Sequence, residues 1–96
     1  MMQPAGEFRI DAGHPSLAGH FPGRPVVPGV VLLDAILALI APQRVGGLRQ
    51  VKFLGPVLPG QIVTVATAPA KSGDLAFTGA VGGRDVLHGV IALDGA

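Results

Sequence analysis

The sequence contains no cysteine, tryptophan or tyrosine, and charged residues make up only 14% of it. Without cysteine the chain has neither a disulfide framework nor a thiol nucleophile. Its first residues lack the basic start and apolar core of a secretory signal, so we expect a cytoplasmic location. The longest apolar run is about a dozen residues, too short to span a bilayer. The net charge of +1 does not suggest a nucleic-acid-binding protein.

Apolar residues are abundant and account for 49% of the 96 residues. We expect one domain over residues 1–96, small enough that its own core stabilises it only moderately. Much of the apolar surface is therefore predicted to face a partner subunit.

The spacing of apolar residues predicts one helix among several strands. Glu7–Asp11 alternates as a strand does, and a loop over 12–29 follows, with a turn of helix at Pro15 to Ala18. One long apolar helix before a run of antiparallel strands predicts an α+β domain with the sheet wrapped around the helix. The remaining predicted segments are the helix over about 29–41, ended by Pro42, the connection Gln43–Gly47, a strand with Leu48, Val51 and Phe53 that ends at Pro56, Gln61–Ala68, the turn Lys71–Asp74, Leu75–Val81, the turn Gly82–Asp85 and Val86–Leu93.

The stretch His20–Asp34 begins as a stiff loop and ends inside the predicted helix. Its first half cannot be helical, because three prolines fix φ and remove amide donors. From Pro28 onward the sequence changes to an apolar run. A proline is well placed at the first position of a helix, so we expect the helix to begin near Pro28. Residues 30–41 are apolar except for Asp34, so we expect a helix enclosed by protein on nearly every side.

This stretch also brings together groups able to perform acid–base chemistry. On an enclosed helix the Asp34 carboxylate would be partly desolvated, which suits it to giving or holding a proton near neutrality. The amides of Gly29 and Val30 lie at the positive end of the helix dipole and are able to stabilise an oxyanion. The residues alone leave another interpretation open, in which Asp34 is a surface carboxylate and the loop histidine, His20, only packs.

Two blocks of the sequence resemble the β-hydroxyacyl-acyl carrier protein dehydratases, hotdog-fold enzymes of fatty-acid and related polyketide synthesis. The blocks read His20-Phe21-Pro22-Gly23-x-Pro25-Val26-x-Pro28-Gly29-Val30 followed by Asp34-Ala35, and Val51-Lys52-Phe53-x-x-Pro56-Val57-x-Pro59-Gly60. The resemblance implies a hotdog fold, in which an antiparallel sheet wraps around one long central helix.

The resemblance also implies roles for residues of the first block. His20 would be the base and Asp34 its acidic partner, which orients or protonates the departing hydroxyl. The Gly29 amide would bind the thioester oxygen, with Gly23 and Val30 beside it.

Further expectations from the resemblance concern the substrate and the partners. The backbone carbonyl of Val26 would hold the second ring nitrogen of the histidine. As a hypothesis, Arg24 contacts the phosphopantetheine phosphate or an acidic carrier protein. The substrate would be a 3-hydroxyacyl thioester of acyl carrier protein or of coenzyme A, with no cofactor or metal held by the chain. Each active site would take its histidine from one subunit and its acid from the other, so we expect a homo-oligomer, at least a dimer, with an acyl tunnel along the interface.

The resemblance mixes two branches of that family, and two other functions stay open. Members that only dehydrate mostly carry glutamate at the position of Asp34, whereas the isomerising branch carries aspartate. A hotdog thioesterase would use a carboxylate on the same helix without needing His20. A non-catalytic acyl-binding partner subunit is the other alternative. His14 and His88 are expected to be structural, and three dispersed histidines do not form a zinc site.

Overall fold

The computed structural model describes residues 2–13, 26–40 and 45–93. Within them every pairing between strands is antiparallel, and the strand order across the sheet is β1-β3-β4-β5-β2. The predicted α+β class, with one apolar helix against an antiparallel sheet, is confirmed. The elements of the described part are β1 Gln3–Arg9, α1 Gly29–Ile40, β2 Val45–Phe53, β3 Ile62–Pro69, β4 Leu75–Val81 and β5 Arg84–Leu93.

Helix α1 begins at Gly29, as the proline pattern predicts. The Pro28 carbonyl accepts hydrogen bonds from the amides of Val31, at 3.0 Å, and Leu32, at 3.3 Å, which closes the first helical turn. Pro28 thus provides the fixed φ and the first acceptor of the helix. Pro42, predicted to end the helix, and the predicted turn at Pro15 to Ala18 lie outside the described residues.

One face of α1 packs on the sheet through Leu32, Ile36 and Ile40. Close approach depends on Gly79 in β4, where a methyl group would lie 2.6 Å from Cδ2 of Leu87 and 3.5 Å from Cδ1 of Ile36. The core continues into the inner face of the sheet, where Val63, Phe77 and Ile91 are among the buried residues.

The predicted strands differ from the observed ones mainly at their ends. β1 runs over Gln3–Arg9, so it begins earlier and ends earlier than the predicted Glu7–Asp11. β3 is displaced by one residue from its predicted range, and β4 has the bounds that the sequence predicts. β5 begins at Arg84, because only Gly82 and Gly83, both with positive φ, are needed to reverse the chain.

The prediction for β2 is wrong at both ends. The strand begins at Val45, inside the predicted connection Gln43–Gly47, and it ends at Phe53 rather than at Pro56. β2 is the edge strand and pairs only with β5 among the described strands, with two irregularities in register. An edge strand tolerates glycines and bulges that a central strand does not, which explains why two successive glycines lie inside it.

The expectation that α1 is enclosed on nearly every side is also wrong for the single chain. Val30, Asp34 and Ala38 are exposed, whereas the residues facing the sheet are buried. The sheet of one chain covers only one face of the helix, so an apolar sequence on the other face does not make that face buried. Among the described residues, no helix has the length and hydropathy needed to cross a membrane.

Candidate active site

A cleft of about 500 Å³ opens where α1 begins. One wall is formed by Val26, Val27, Gly29 and Leu32, and the opposite wall by residues 53–57. The described residues of both walls are apolar, glycine or proline, so none of them brings a charge into the cleft. Because the first amides of a helix have no acceptor within the helix, the amide of Gly29 is a hydrogen-bond donor beside an apolar channel.

Backbone hydrogen bonds hold both walls of the cleft. The amide of Val27 donates to the carbonyl of Val57 at 2.8 Å and so joins one wall to the other. The amides of Leu54 and Gly55 both donate to the carbonyl of Val86, at 2.7 and 3.3 Å. The chain on each side of the cleft is therefore tied to buried residues, since Val27, Val57 and Val86 are all in the core.

The ring of Phe53 lies directly against the backbone of Gly29. A methyl group placed on Gly29 would lie 2.8 Å from Cζ and 2.9 Å from Cε1 of that ring, closer than carbon atoms approach one another. The absence of a side chain at Gly29 thus lets the ring lie against the backbone, and φ at Gly29 is not in the left-handed region. The ring is still 48% exposed, because the cleft opens on its far side.

Asp34 lies on α1 but does not point into the core of its own chain. Four residues separate it from Val30, so the two share a helix face, and Val30 is 65% exposed. The carboxylate lies roughly 7–8 Å along the helix axis from Gly29, at 1.5 Å per residue. The expected desolvation of Asp34 is therefore not present in the single chain, where the residue is exposed.

The structure places only part of the predicted site. Val26 and Gly29 both line the cleft, and their roles towards the base and the thioester stay predictions. Val30 and Asp34 lie on the neighbouring exposed helix face. The predicted residues His20, Gly23 and Arg24 lie outside the described residues, and so does His14, so their roles stay predictions.

The spacing of apolar residues predicts that Phe53 lies in a strand, and the predicted site does not include it. The signal available was the second block of the family resemblance, which contains Phe53, Pro56 and Val57, all of which line the cleft. Alternation alone places the Phe53 ring on the inner face of β2 but does not indicate that Gly29 lies beneath it.

His88 lies in β5, where it is half-buried and opposite Lys52 on one neighbouring strand and Thr78 on the other. In the described part of the chain, no three His, Cys, Asp or Glu residues lie close enough together to hold a metal ion.

A family model described as ApeI dehydratase, of the ApeI-like family, matches residues 3–92. The fold and the match together define a hotdog protein of the dehydratase class. The chain belongs to the ApeI-like dehydratase family, and the resemblance to the β-hydroxyacyl-acyl carrier protein dehydratases is confirmed.

Curated relatives and solved structures agree with this assignment. The 3-hydroxyacyl-acyl-carrier-protein dehydratase FabZ of Chlamydia trachomatis serovar L2 is 31% identical over 86% of this chain and 66% of its own length. FabZ of Haemophilus influenzae is 35% identical over 73% of this chain and 57% of its own length. The dehydratase heterocomplex ApeI:P from Xenorhabdus doucetiae contains a chain with a TM-score of 0.72 and 27% identity, over 91% of this chain and 82% of that one. The chain thus spans less than two thirds of the length of these two curated relatives.

Proposed function

We propose that this protein dehydrates 3-hydroxyacyl thioesters to trans-2-enoyl thioesters in fatty-acid or polyketide-type synthesis. The observation that carries the proposal is the apolar cleft that begins at the Gly29 amide, in a chain of a dehydratase family. The substrate would be carried on the phosphopantetheine of acyl carrier protein or on coenzyme A. The reaction would take place in the cytoplasm. Arg24 would contact the phosphate of that carrier arm or an acidic carrier protein.

The proposed reaction breaks one C–H bond and one C–O bond and releases water. His20, held by the Val26 carbonyl, takes the proton from carbon 2. The electron pair of the broken C–H bond then forms the double bond between carbons 2 and 3. Asp34 gives a proton to the hydroxyl on carbon 3, which leaves as water. The Gly29 amide, with Val30 and Gly23 beside it, stabilises the negative charge that develops on the thioester oxygen. A proton passed from His20 to Asp34 through water then restores both groups.

This mechanism needs a second subunit, and the exposed face of α1 supports one. Asp34, the proposed proton donor, is exposed in the single chain, so a second chain is needed to shield it from water and enclose it against the substrate. On the helix-facing side of β2, Val45 and Leu48 are 39% and 45% exposed. We propose at least a homodimer in which the second chain covers this surface and each active site combines His20 of one chain with Asp34 of the other.

A second candidate function is that of a non-catalytic subunit that completes the site of another hotdog chain. The observation that favours it is the structural neighbour, which is part of a dehydratase heterocomplex. The aspartate at position 34 is one methylene shorter than the glutamate common in the family, and a displacement of about 1 Å can cost a factor of about 100 in rate.

The deciding experiment follows enoyl absorbance and free thiol together, with a 3-hydroxyacyl pantetheine thioester as substrate. Wild type, His20→Ala and Asp34→Asn are compared, and Asp11→Asn is the control because Asp11 pairs with Arg9 at the exposed surface, with 3.2 Å between Oδ1 and Nε. We expect enoyl product without thiol, lost in the first two variants and kept in the control.

Each other outcome points to a named alternative. Thiol release that survives His20→Ala would make the protein a thioesterase. A folded wild type without turnover, alone or with acyl carrier protein, would contradict the proposal and favour the partner-subunit function. Native mass spectrometry of the same samples tests the dimer, and a monomeric yet active wild type would overturn the shared site.

A further inference from the structure

We infer that Phe53 selects the substrate by its shape near the thioester, and that it excludes acyl groups with a branch at carbon 2. The inference rests on the proposed function for its ligand, because the cleft is taken to hold an acyl thioester. It concerns a residue that the predicted site does not include. The observation behind it is the contact between the Phe53 ring and the backbone of Gly29.

The position of the ring fixes which part of the acyl group it meets. The Gly29 amide is the proposed donor to the thioester oxygen, and the ring lies against the same residue. Carbons 2 and 3 of the acyl group follow the thioester carbon directly, so they must pass beside the ring. The distal carbons lie further along the cleft and are out of its reach.

The buried part of the wall cannot make room for a branch. Val27 and Val57 are buried and joined by a backbone hydrogen bond of 2.8 Å, and the chain after Phe53 is tied to Val86. Close-packed interiors do not yield space for even one extra methyl group without cost. Phe53 and Leu54 are both half-exposed in this wall, and the Phe53 ring is the one that lies against Gly29, so its size sets the width of the cleft there.

The dimensions of the cleft favour an acyl group over a protein segment as its occupant. About 500 Å³ lies within the range of 300–1,000 Å³ typical of small-molecule sites. The described lining has no charged side chain, which suits a hydrocarbon chain. The cleft is also continuous with the amide at the start of α1, where the polar end of such a ligand would bind.

The test compares 3-hydroxyhexanoyl pantetheine with its 2-methyl derivative, which keeps one proton on carbon 2. Wild type is expected to prefer the unbranched substrate in kcat/KM. Phe53→Leu is expected to shift the ratio towards the 2-methyl substrate by at least 10-fold, because one methyl group in an apolar pocket is worth about 10- to 200-fold. Phe53→Met serves as a second variant if the leucine variant folds poorly.

A matched control is available in Leu58, which is as exposed as Phe53, at 47%, but does not line the cleft. Leu58→Ala should leave the ratio unchanged. Binding of the two non-reacting amide analogues, hexanoyl and 2-methylhexanoyl aminopantetheine, is measured by calorimetry on the same variants. If the ratio of the two binding affinities shifts but no variant turns over substrate, the role of Phe53 is supported and only the proposed dehydratase function is contradicted.

Two results would overturn the inference. One is normal turnover with the same substrate ratio in wild type and Phe53→Leu, which would leave the proposed function intact. The other is dissociation of the oligomer by Phe53→Leu with an unchanged ratio, which would identify the ring as a subunit contact.

Discussion

A phenylalanine ring lies against a glycine in two regions of this molecule, and the two contacts differ in their surroundings. In the core, Phe77 of β4 covers its cross-strand partner Gly89 of β5, and Phe77 is 1% exposed. At the cleft, Phe53 of β2 covers Gly29 at the start of α1 and is 48% exposed. The first contact fills the space over a glycine in a sheet, as aromatic residues commonly do.

The two contacts differ in which other atoms surround the glycine. A methyl group on Gly89 would meet the Phe77 ring at 2.7 Å and would also clash with the carbonyl oxygen of Gln50, which is backbone. The three atoms nearest to a methyl group on Gly29 would all belong to the Phe53 ring, and none of them is a backbone atom. The core contact is therefore fixed from both directions, whereas the cleft contact can change when the ring moves.

The largest difference should appear when each ring is removed. Phe77→Ala is expected to lower the free energy of unfolding by about 3–5 kcal/mol, since it leaves a cavity in a close-packed core. Phe53→Ala should cost about 1 kcal/mol, because half of that ring is already in water. Urea unfolding at one fixed protein concentration measures both. Equal losses would mean that Phe53 is buried in the assembled protein as deeply as Phe77.

The glycines themselves give the next largest effect. Gly89→Ala is expected to cost about 3 kcal/mol, at the upper end for overpacking, because the carbonyl of Gln50 belongs to a paired strand and cannot move aside. Gly47→Ala is the control, since a methyl group there meets nothing within 4 Å. Thermal and urea denaturation should separate the two variants clearly. A Gly89→Ala variant as stable as the control would show that β2 and β5 separate easily at this point.

Much of this architecture could be predicted from the sequence, because local signals fix it. Pro28 and the apolar run after it place the start of α1, and the Gly82–Gly83 pair places the turn into β5. The failure at β2 is instructive: Gly46 and Gly47 suggest a connection, yet an edge strand tolerates them. Propensity alone does not reveal whether a strand lies at an edge.

The candidate site could be predicted only in part, since its key contact joins distant segments. The family motif indicates Gly29 and Asp34, but no periodicity indicates that Phe53 lies on Gly29, 24 positions earlier in the chain. The exposure of Asp34 could not be predicted either. A helix that is apolar on all faces suggests enclosure, and a single sequence does not show that one chain covers only one face.

Gly29→Ala should have a smaller effect than Gly89→Ala, although the nearest atoms of the ring are almost as close. The half-exposed ring can shift away from Gly29 into the cleft on its far side, which does not widen the cleft, and alanine gains up to about 1 kcal/mol in helix propensity, so we expect a net change within about 1 kcal/mol. Combining Gly29→Ala with Phe53→Leu should then be more favourable than the sum of the single changes, by about 0.5–1 kcal/mol. A double-mutant cycle measured by urea unfolding tests this coupling, and strictly additive free energies would contradict the direct contact.

The smallest effect concerns the ion pair that links the two regions. Arg49 of β2 contacts Asp74, which precedes β4, with 3.2 Å between Nε and Oδ2. The arginine side chain is 62% exposed, so solvent screening limits the contribution of the pair to stability, and Arg49→Gln should cost less than about 1 kcal/mol. Arg9→Gln, at a pair exposed on both sides, is the control and should have no measurable effect. Because salt screens charges, the difference between the variants should shrink further in about 1 M salt. A loss above about 2 kcal/mol that persists in salt would mean that this ion pair, rather than pairing with β5 alone, positions β2 and hence Phe53.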